Sequence, residues 1–497
     1  MFCQLVYLRR CIPGRIRRAL DELPETLGET YARSLEEIDE QNWEHAHRLF
    51  QCVAAASRPL LVTELAEFLA FEFEAGSTPT LLPDWRPEDP THTVLSVCSS
   101  LLAVVEPDGG SPVVQFAHFS VKEYLTSARL VKANDTISRF HVSMTTAHTI
   151  IAQACLSVLL HLDENITEDS LEELPLARYA AEHWVGHARF EDVSSEVRDT
   201  MKRLFDPSES HHSAWVWVYD PEDSRSRILE PERPAEARAT PLHYAAFCGI
   251  HDVAVFLIVE HSQDVNARGF SRNETPLHVA SRRGHADVAQ LLLEHGADLE
   301  ARNDHDEFTP LLLASQGGHV EVARVLLEHG ADMEARDDCD CSPLALASFF
   351  GHVEFARVLL EHGADMKAKV MWTDTPLHLA RGEEVARLLL KHGADGNALN
   401  ISDETPLHQV SDGGHVGVAR TLLEHGVDAN ARDANNATPL HRACDERRTD
   451  VARLLLQYGS DINARDNKGR TPFMRAAAKE DHEIKGLLLQ YGAEDHM

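Results

Sequence analysis

TPLHVASRRGHADVAQLLLEHGAD, residues 275–298, decides the fold of the C-terminal half of this 497-residue chain. Its Thr-Pro or Ser-Pro opening falls at Thr240, Thr275, Thr309, Ser342, Thr375, Thr405, Thr438 and Thr471, at steps of 35, 34, 33, 33, 30, 33 and 33 residues. Each letter has a physical role. Thr275 offers its hydroxyl to a helix start. Pro276 suits the first helical position, where its missing N–H costs nothing. Leu277 and Ala280, three apart, share a helix face that would be buried. Gly284 tolerates the left-handed backbone that ends the helix. Val288, Leu291 and Leu292 form the apolar stripe of a second, antiparallel helix, which Gly296 closes. Residues 298–307 then loop out as a hairpin-like finger. One such unit cannot bury its apolar face alone; a stack of them can.

A period near 33 residues that carries T-P-L-H marks ankyrin repeats, and residues 238–497 resemble that family in eight units. The expected fold class is mainly α: an ankyrin-repeat α-solenoid preceded by a winged-helix domain and a helical bundle. Terminal units should be atypical, because their outer faces meet water. The first has Ser262 where others have glycine, and one extra residue before Glu260. The last ends in the short polar QYGAEDHM. The fifth, TPLHLARGEEVARLLLKHGAD, lacks three residues at its helix–helix turn. That is nearly one helical turn, and it predicts a thin layer and a weak point at residues 381–384.

Upstream, residues 1–40 read as a helical segment, with Leu27, Tyr31, Leu35 and Ile38 at helical spacing. Residues 41–133 read as helices at 43–56, 64–70 (capped by Thr63) and 93–101, with a loop over 76–90. Strands at 102–105 and 113–117 follow around an Asp108-Gly109 turn, then a helix at 119–130. That order is a winged helix. Residues 134–205 read as a helical bundle. Residues 206–237 read as a linker with Pro207, Pro221, Pro231 and Pro234, in which Trp215 and Trp217 pack down as a cap.

The phrases LPETLGETYARSLEEI, SRPLLVTELAEFLAF, LSVCSSLLAVV and VVQFAHFSVKEYLTSARL resemble, in order, the region after the NTPase core of fungal NACHT–ankyrin proteins. These are NLR-like members of the STAND signal-transduction ATPases. The resemblance covers about residues 1–230. It implies a role in signalling or self/non-self recognition, and it matches His118 to a winged-helix histidine that senses nucleotide phosphate. No GxxxxGK[ST] phosphate cradle occurs in the sequence. The family's NTPase core would precede residue 1, so the expectation is a truncated relative or an incomplete chain. His118 is a cofactor-binding residue only if an NTPase domain is present. Otherwise it reads as a histidine bonded to backbone near residues 122–124.

The formal charge of −33 argues against a nucleic-acid partner. Five arginines (Arg9, Arg10, Arg15, Arg17, Arg18) stand in the first twenty residues, so the remainder carries −38. The candidate DNA-reading helix, 93–101, has no Lys or Arg. Nine cysteines without a framework favour a reducing compartment. The longest apolar run, 150–160, is too short to span a bilayer. At the N-terminus the arginines follow the apolar run, the wrong order for a signal peptide. A cytoplasmic placement follows, with the nucleus as the alternative.

No GxSxG, HExxH or kinase set occurs, so no enzyme, catalytic residue, cofactor or small-molecule substrate is expected. Of thirty histidines, many are accounted for by the repeat. They form the TPLH set (His278, His378, His408, His441), the GH set (His285, His319, His352, His415) and the EHG set (His295, His329, His362, His425). All three should stack unit over unit as hydrogen-bonders. Cys339 and Cys341, as CDC, lack the paired C-x₂-C of a zinc site, and no metal is expected.

The expected site is a protein-binding surface on the concave face and finger tips. Two variable inner positions precede each GH or its equivalent: Phe247/Cys248, Arg282/Arg283, Gln316/Gly317, Phe349/Phe350, Asp412/Gly413, Asp445/Glu446 and Lys479/Glu480. The finger tips add Phe270, Arg272, His305, Phe308, Met371 and Trp372. Phe349, Phe350 and Trp372 sit where the scaffold demands no aromatic. They read either as interface anchors or, for Phe350 and Trp372, as filler beside the short fifth unit.

Overall fold

The computed structural model describes residues 25–73, 78–98, 101–107, 110–222, 238–370 and 373–494. Contacts divide the chain into two compact units, Met1–Ala237 and Arg238–Met497. Residues 1–24, with their arginines, and the Asp108-Gly109 turn lie outside the described residues.

In the first unit, helix Trp43–Ala55 buries Ala46, Leu49, Phe50 and Cys52 on one face. Strand β1 (Leu60–Leu61) follows, then helix Val62–Glu67, β2 (Phe71–Glu72), β3 (Thr80–Leu81), helix Pro90–Cys98, β4 (Leu102–Val105) and β5 (Val113–Phe116). β1, β5 and β4 form an antiparallel sheet in that order, with Val114 opposite both Leu60 and Val104. β3 lies in the stretch expected as a loop and pairs with β2. Thr63 is not a helix cap. Glu64 does that work: its carboxylate accepts the Leu61 amide at 2.7 Å and both Nη atoms of Arg58 at 2.8 and 2.6 Å.

Helices Met144–Leu159, Ala177–Ala188 and Arg198–Phe205 form the bundle. A further helix, His211–Val218, corrects the linker reading. Its Ala214, Trp215 and Val218 are buried, and the flanking prolines leave it uninterrupted. Trp215 stacks edge-on against Trp184 at 5.5 Å and donates its indole N–H to the Ala181 carbonyl at 2.9 Å. It therefore packs within the first unit. Residues 223–237 of the expected linker lie outside the described residues.

The second unit is a solenoid of paired helices. Pro276–Arg283 and Ala286–Glu294 bury Leu277, Ala280, Val288 and Leu292 fully. Gly284 takes φ +81°, and a Cβ there would stand 2.5 Å from His319 Nδ1, so backbone and space both require glycine. The extra residue of the first repeat is absorbed as a π-turn, Phe256–Glu260, that pushes Val259 outward. Ser262 takes the left-handed φ of +50°. The fingers are turns more than hairpins. An Asn or Asp side chain closes several of them: Asn303 Oδ1 accepts the Phe308 amide at 2.9 Å, and Asp433 Oδ1 the Ala437 amide at 2.8 Å.

Hydrogen-bond ladders tie each repeat to the next. The TPLH histidines donate to the carbonyl before the next Thr-Pro, as His278 does to Phe308 at 3.0 Å. The GH histidines reach back to the preceding inner helix, as His319 does to the Arg282 carbonyl at 3.0 Å. Finger arginines reach forward, as Arg302 does to the Arg336 carbonyl at 2.7 Å. Glu334 accepts the Asp365 amide at 2.8 Å. The EHG histidines depart from expectation. They bond four residues back in their own helix, as His295 does to the Leu291 carbonyl at 2.9 Å, because Nδ1 reaches no farther.

Among the described residues, these ladders lapse together between the fourth and fifth repeats. Ala345 stands in the TPLH position, no histidine packs against Gly351, and Lys369 and Lys367 replace the finger arginine and the acceptor. The fifth inner helix is only Pro376–Leu379, with Arg381 N bonded to the Ser348 carbonyl at 3.3 Å. The missing turn is where the sequence places it. Ala345→His with Lys369→Arg should rebuild two rungs and raise the unfolding free energy measured in urea by about 1 kcal/mol. In hydrogen exchange, amides of residues 343–390 should open more easily than those of the second and third repeats, and the double variant should close that gap. Uniform protection in the parent chain would refute the weak joint.

Candidate functional site

The inner-helix positions are held from below. Carbonyls of Phe247, Arg282 and Gln316 accept the GH histidines His285, His319 and His352 at 3.1, 3.0 and 3.0 Å. Arg448 Nε does the same for Asp412 at 2.9 Å. Their backbones are therefore fixed while their side chains vary. Phe247 is half-buried, with the Arg283 guanidinium 3.8 Å over its ring. Arg282 pairs with Glu274 at 2.8 Å. Gln316 is half-buried, and Asp412 and Glu446 are exposed. Partial desolvation by the atoms packed around its base raises the Asp412 carboxyl pKa although the side chain reaches solvent, and Glu446 helps. Asp445 is tied to Arg475.

Phe350 is 44% exposed and meets Phe349 edge-on at 5.1 Å. Arg381, from the fifth repeat, lies 3.7 Å over the Phe349 ring. The finger residues divide. His305 is exposed and faces Asp306 at 2.9 Å, and Arg272 reaches the same carboxylate at 3.3 Å. Phe270 is half-buried against Tyr244 at 5.2 Å. Phe308 is not at a tip. It is buried with Leu312, Leu313, Ala335 and Leu346, because the residue before Thr-Pro is where each finger rejoins the stack. Cys248 is buried as well. Trp372 and Met371 lie outside the described residues.

The TPLH histidines form one electrostatic class. In His243, His278 and His441, Nδ1 accepts the amide of the Thr three residues back, at 3.1–3.2 Å, so Nε2 carries the proton toward a carbonyl. Burial pushes all three down to about 4. Unfolded, they take a proton near pH 6.5, so the unfolded chain binds it more readily below that value. Their stabilisation is complete above pH 6.5 and is lost as pH falls toward 4. Urea midpoints should be lower at about pH 5 than at about pH 7.5. A chain with Gln at these three positions should show a smaller drop.

Sequence reasoning missed a charged seam in the last repeats. The residue after TPLH, or its equivalent, is Val279, Leu313, Leu346 and Leu379 in repeats two to five, then Gln409, Arg442 and Arg475. Arg442 Nη2 holds Asp433 Oδ2 at 2.8 Å and also Glu404. Arg475, its side chain 6% exposed, holds Asp466 at 2.7 Å and also Asp445, and Arg470 joins Asp466 at 3.0 Å. The signal was the loss of an apolar residue at one fixed repeat position.

In the first unit, His118 caps helix Phe119–Leu125. Its Nδ1 meets the Ser120 hydroxyl at 2.5 Å and the Ser120 amide at 3.3 Å, so the partner is Ser120 and not the backbone of residues 122–124. Cys339 lies with Asp337 and Asp338 within 4.8 Å. The Asp337 carboxylate is already engaged by the amides of Cys339 and Cys341 at 3.0 and 2.7 Å. Among the described residues, no helix is long and apolar enough to cross a membrane.

Models of ankyrin repeats, three copies each, match overlapping windows from residue 226 to residue 496, more than half of the chain. The chain is similar to azaphilone pigments biosynthesis cluster protein L of Monascus ruber, 31% identical over 291 residues, 55% of this chain and 59% of that protein. It is also similar to vegetative incompatibility protein HET-E-1 of Podospora anserina, 23% identical over 232 residues, 42% of this chain and 16% of that protein. It thus spans less than two thirds of either relative. The repeated capped helix pairs, their histidine ladders and these matches agree: the chain belongs to the ankyrin-repeat family.

Proposed function

We propose that this is a non-enzymatic, cytoplasmic interaction protein whose array grips a protein partner along its inner, concave face. The observation that carries this reading is Phe350. A large aromatic, 44% exposed, stands at a position the scaffold does not require it to fill, beside Phe349 and Arg381. Aromatics and arginines are the usual interface anchors. The filler role suits Phe349, whose ring is covered by Arg381, and does not suit Phe350. Phe350→Ala should weaken partner capture by about tenfold or more while leaving thermal unfolding in place. Phe349→Ala should move both. A Phe350→Ala chain that keeps its partner, or that melts early, would overturn the assignment.

We read the first unit as a winged helix followed by a bundle, of the NLR-like kind, with signalling or recognition as its setting. Support comes from the order helix, strand, helix, helix, strand, strand once the short inserted β2–β3 pair between the second and third helices is set aside, and from the likeness to a vegetative incompatibility protein. A second reading makes the array the sensor arm of an ATP-switched NACHT protein. It is favoured by His118, exposed and with Nδ1 alone engaged by Ser120. An in-frame P-loop in the upstream genomic sequence, and ATP binding by the encoded chain, would select it.

A further inference from the structure

We propose that the cleft between the last two fingers is a carboxylate site that takes an acidic side chain of the partner. The proposal rests on reading the array as a protein-binding surface, and it adds the partner's chemistry. The cleft, about 230 Å³, is lined by Asp433, Arg442, Asp466, Lys468, Arg470 and Arg475, with Asn435 and Asn467 at its edge.

The chain supplies its own control. At the position of Arg442 and Arg475, four earlier repeats carry Val or Leu. Around Phe308, two of those side chains complete a dry seam between finger and helix. The scaffold therefore needs no cation there, and burying one carries a desolvation cost that a hydrophobic residue avoids. Glu404, Asp433, Asp445 and Asp466 offset the charge of the three arginines but leave several of their N–H donors unused. Arg442 gives both its bonds through Nη2, and Arg470 gives one through Nε. Among the described residues, Arg442 Nη1, both Nη atoms of Arg470 and Lys468 Nζ have no protein acceptor. Two guanidinium edges and an ammonium around one opening form a donor set for a planar anion. Asp433 and Asp466 in the same wall oppose a doubly charged phosphate more than a singly charged carboxylate. The rest of the molecule is strongly acidic, so an acidic segment would find little general attraction and would be held here by local contacts.

The test uses the full chain and a fluorescein-labelled deca-glutamate peptide, with deca-glutamine as control, read by fluorescence anisotropy at low salt. Saturable binding of deca-glutamate alone is expected. Lys468→Ala with Arg470→Ala should weaken it by about tenfold or more. Both side chains are exposed, so the melting profile should hold. Lys367→Ala with Lys369→Ala, elsewhere on the fingers, should leave binding unchanged. Inorganic phosphate should compete weakly. No saturable binding, or binding indifferent to the 468/470 pair, would overturn the site. Phosphate binding as tightly as the peptide would overturn the carboxylate assignment. Phe350→Ala should not affect this assay, so a failure of the anchor reading and a failure of this site can be told apart.

Discussion

Asp466→Ala should cost the array about 3–5 kcal/mol, because it leaves the buried Arg475 with only the partly exposed Asp445 as a partner. The Asp466 side chain is 2% exposed and that of Arg475 is 6% exposed. Three nitrogen contacts converge on Asp466 Oδ2: Arg475 Nη2 at 2.7 Å, Arg475 Nε at 3.2 Å and Arg470 Nε at 3.0 Å. Its Oδ1 closes the last finger on the amides of Lys468 and Arg470 at 2.9 and 2.8 Å. Burial works to raise this carboxyl, but the Arg475 hydrogen bond and those amides outweigh it and hold the group well below the usual range. Its contribution is thus present at neutral pH and is lost only as pH falls below the ordinary carboxylate range.

Urea unfolding monitored at the C-terminal repeats should show the loss. Asp445→Ala should cost less, because Asp445 is 28% exposed and Arg475 would keep Asp466. Pairing Asp466→Ala with Arg475→Met should restore part of the stability, since a Met fills the space with no charge to satisfy. If Asp466→Ala and Asp445→Ala behave alike, the seam is only a solvated surface network.

Trp215→Ala should destabilise the first unit by about 3–5 kcal/mol, the range for deleting a buried aromatic. Trp215 is 1% exposed, lies 5.5 Å from the Trp184 ring and 5.6 Å from that of Phe205, and gives its indole N–H to the Ala181 carbonyl. Its removal would leave a cavity between three helices and lose the bond that ties the indole to helix Ala177–Ala188. Trp217, two residues on and half-buried, provides the contrast: Trp217→Ala should stay within about 1 kcal/mol. Differential scanning calorimetry would separate the two. Equal, small shifts would mean that His211–Val218 is a loosely attached segment, as a linker would be.

The two residues also show how much was legible. By sequence, residues 206–237 read as a linker because prolines frame them. Yet Ala214, Trp215 and Val218 lie between those prolines at spacings that bring them to one side of a helix. Phe308 was misplaced for a related reason. Its neighbours in sequence, Asp306 and Glu307, belong to an exposed finger, and nothing local marks the residue where chain direction turns back into the stack. The thin fifth repeat was visible as three missing letters. What surrounds it was only partly visible. Ala345, Lys367 and Lys369 are unremarkable singly, and each matters only because its counterpart in other repeats bonds to the next layer.

The sequence by itself determined the repeat. Its period, Thr-Pro starts, left-handed glycines and apolar stripes follow from local backbone preference and from the burial one helix pair cannot achieve alone. That is why eight units, the odd first and fifth among them, could be counted from the letters. Only the tertiary structure decided which side chains remain available. It covered Phe349 with Arg381 and left Phe350 open, drew Phe308 inside, and brought Arg442, Arg470 and Arg475 around one opening. The physical reason is distance along the chain. Capping and helix spacing act within a few residues, whereas exposure and charge pairing depend on groups about thirty residues away, which the stack brings into contact.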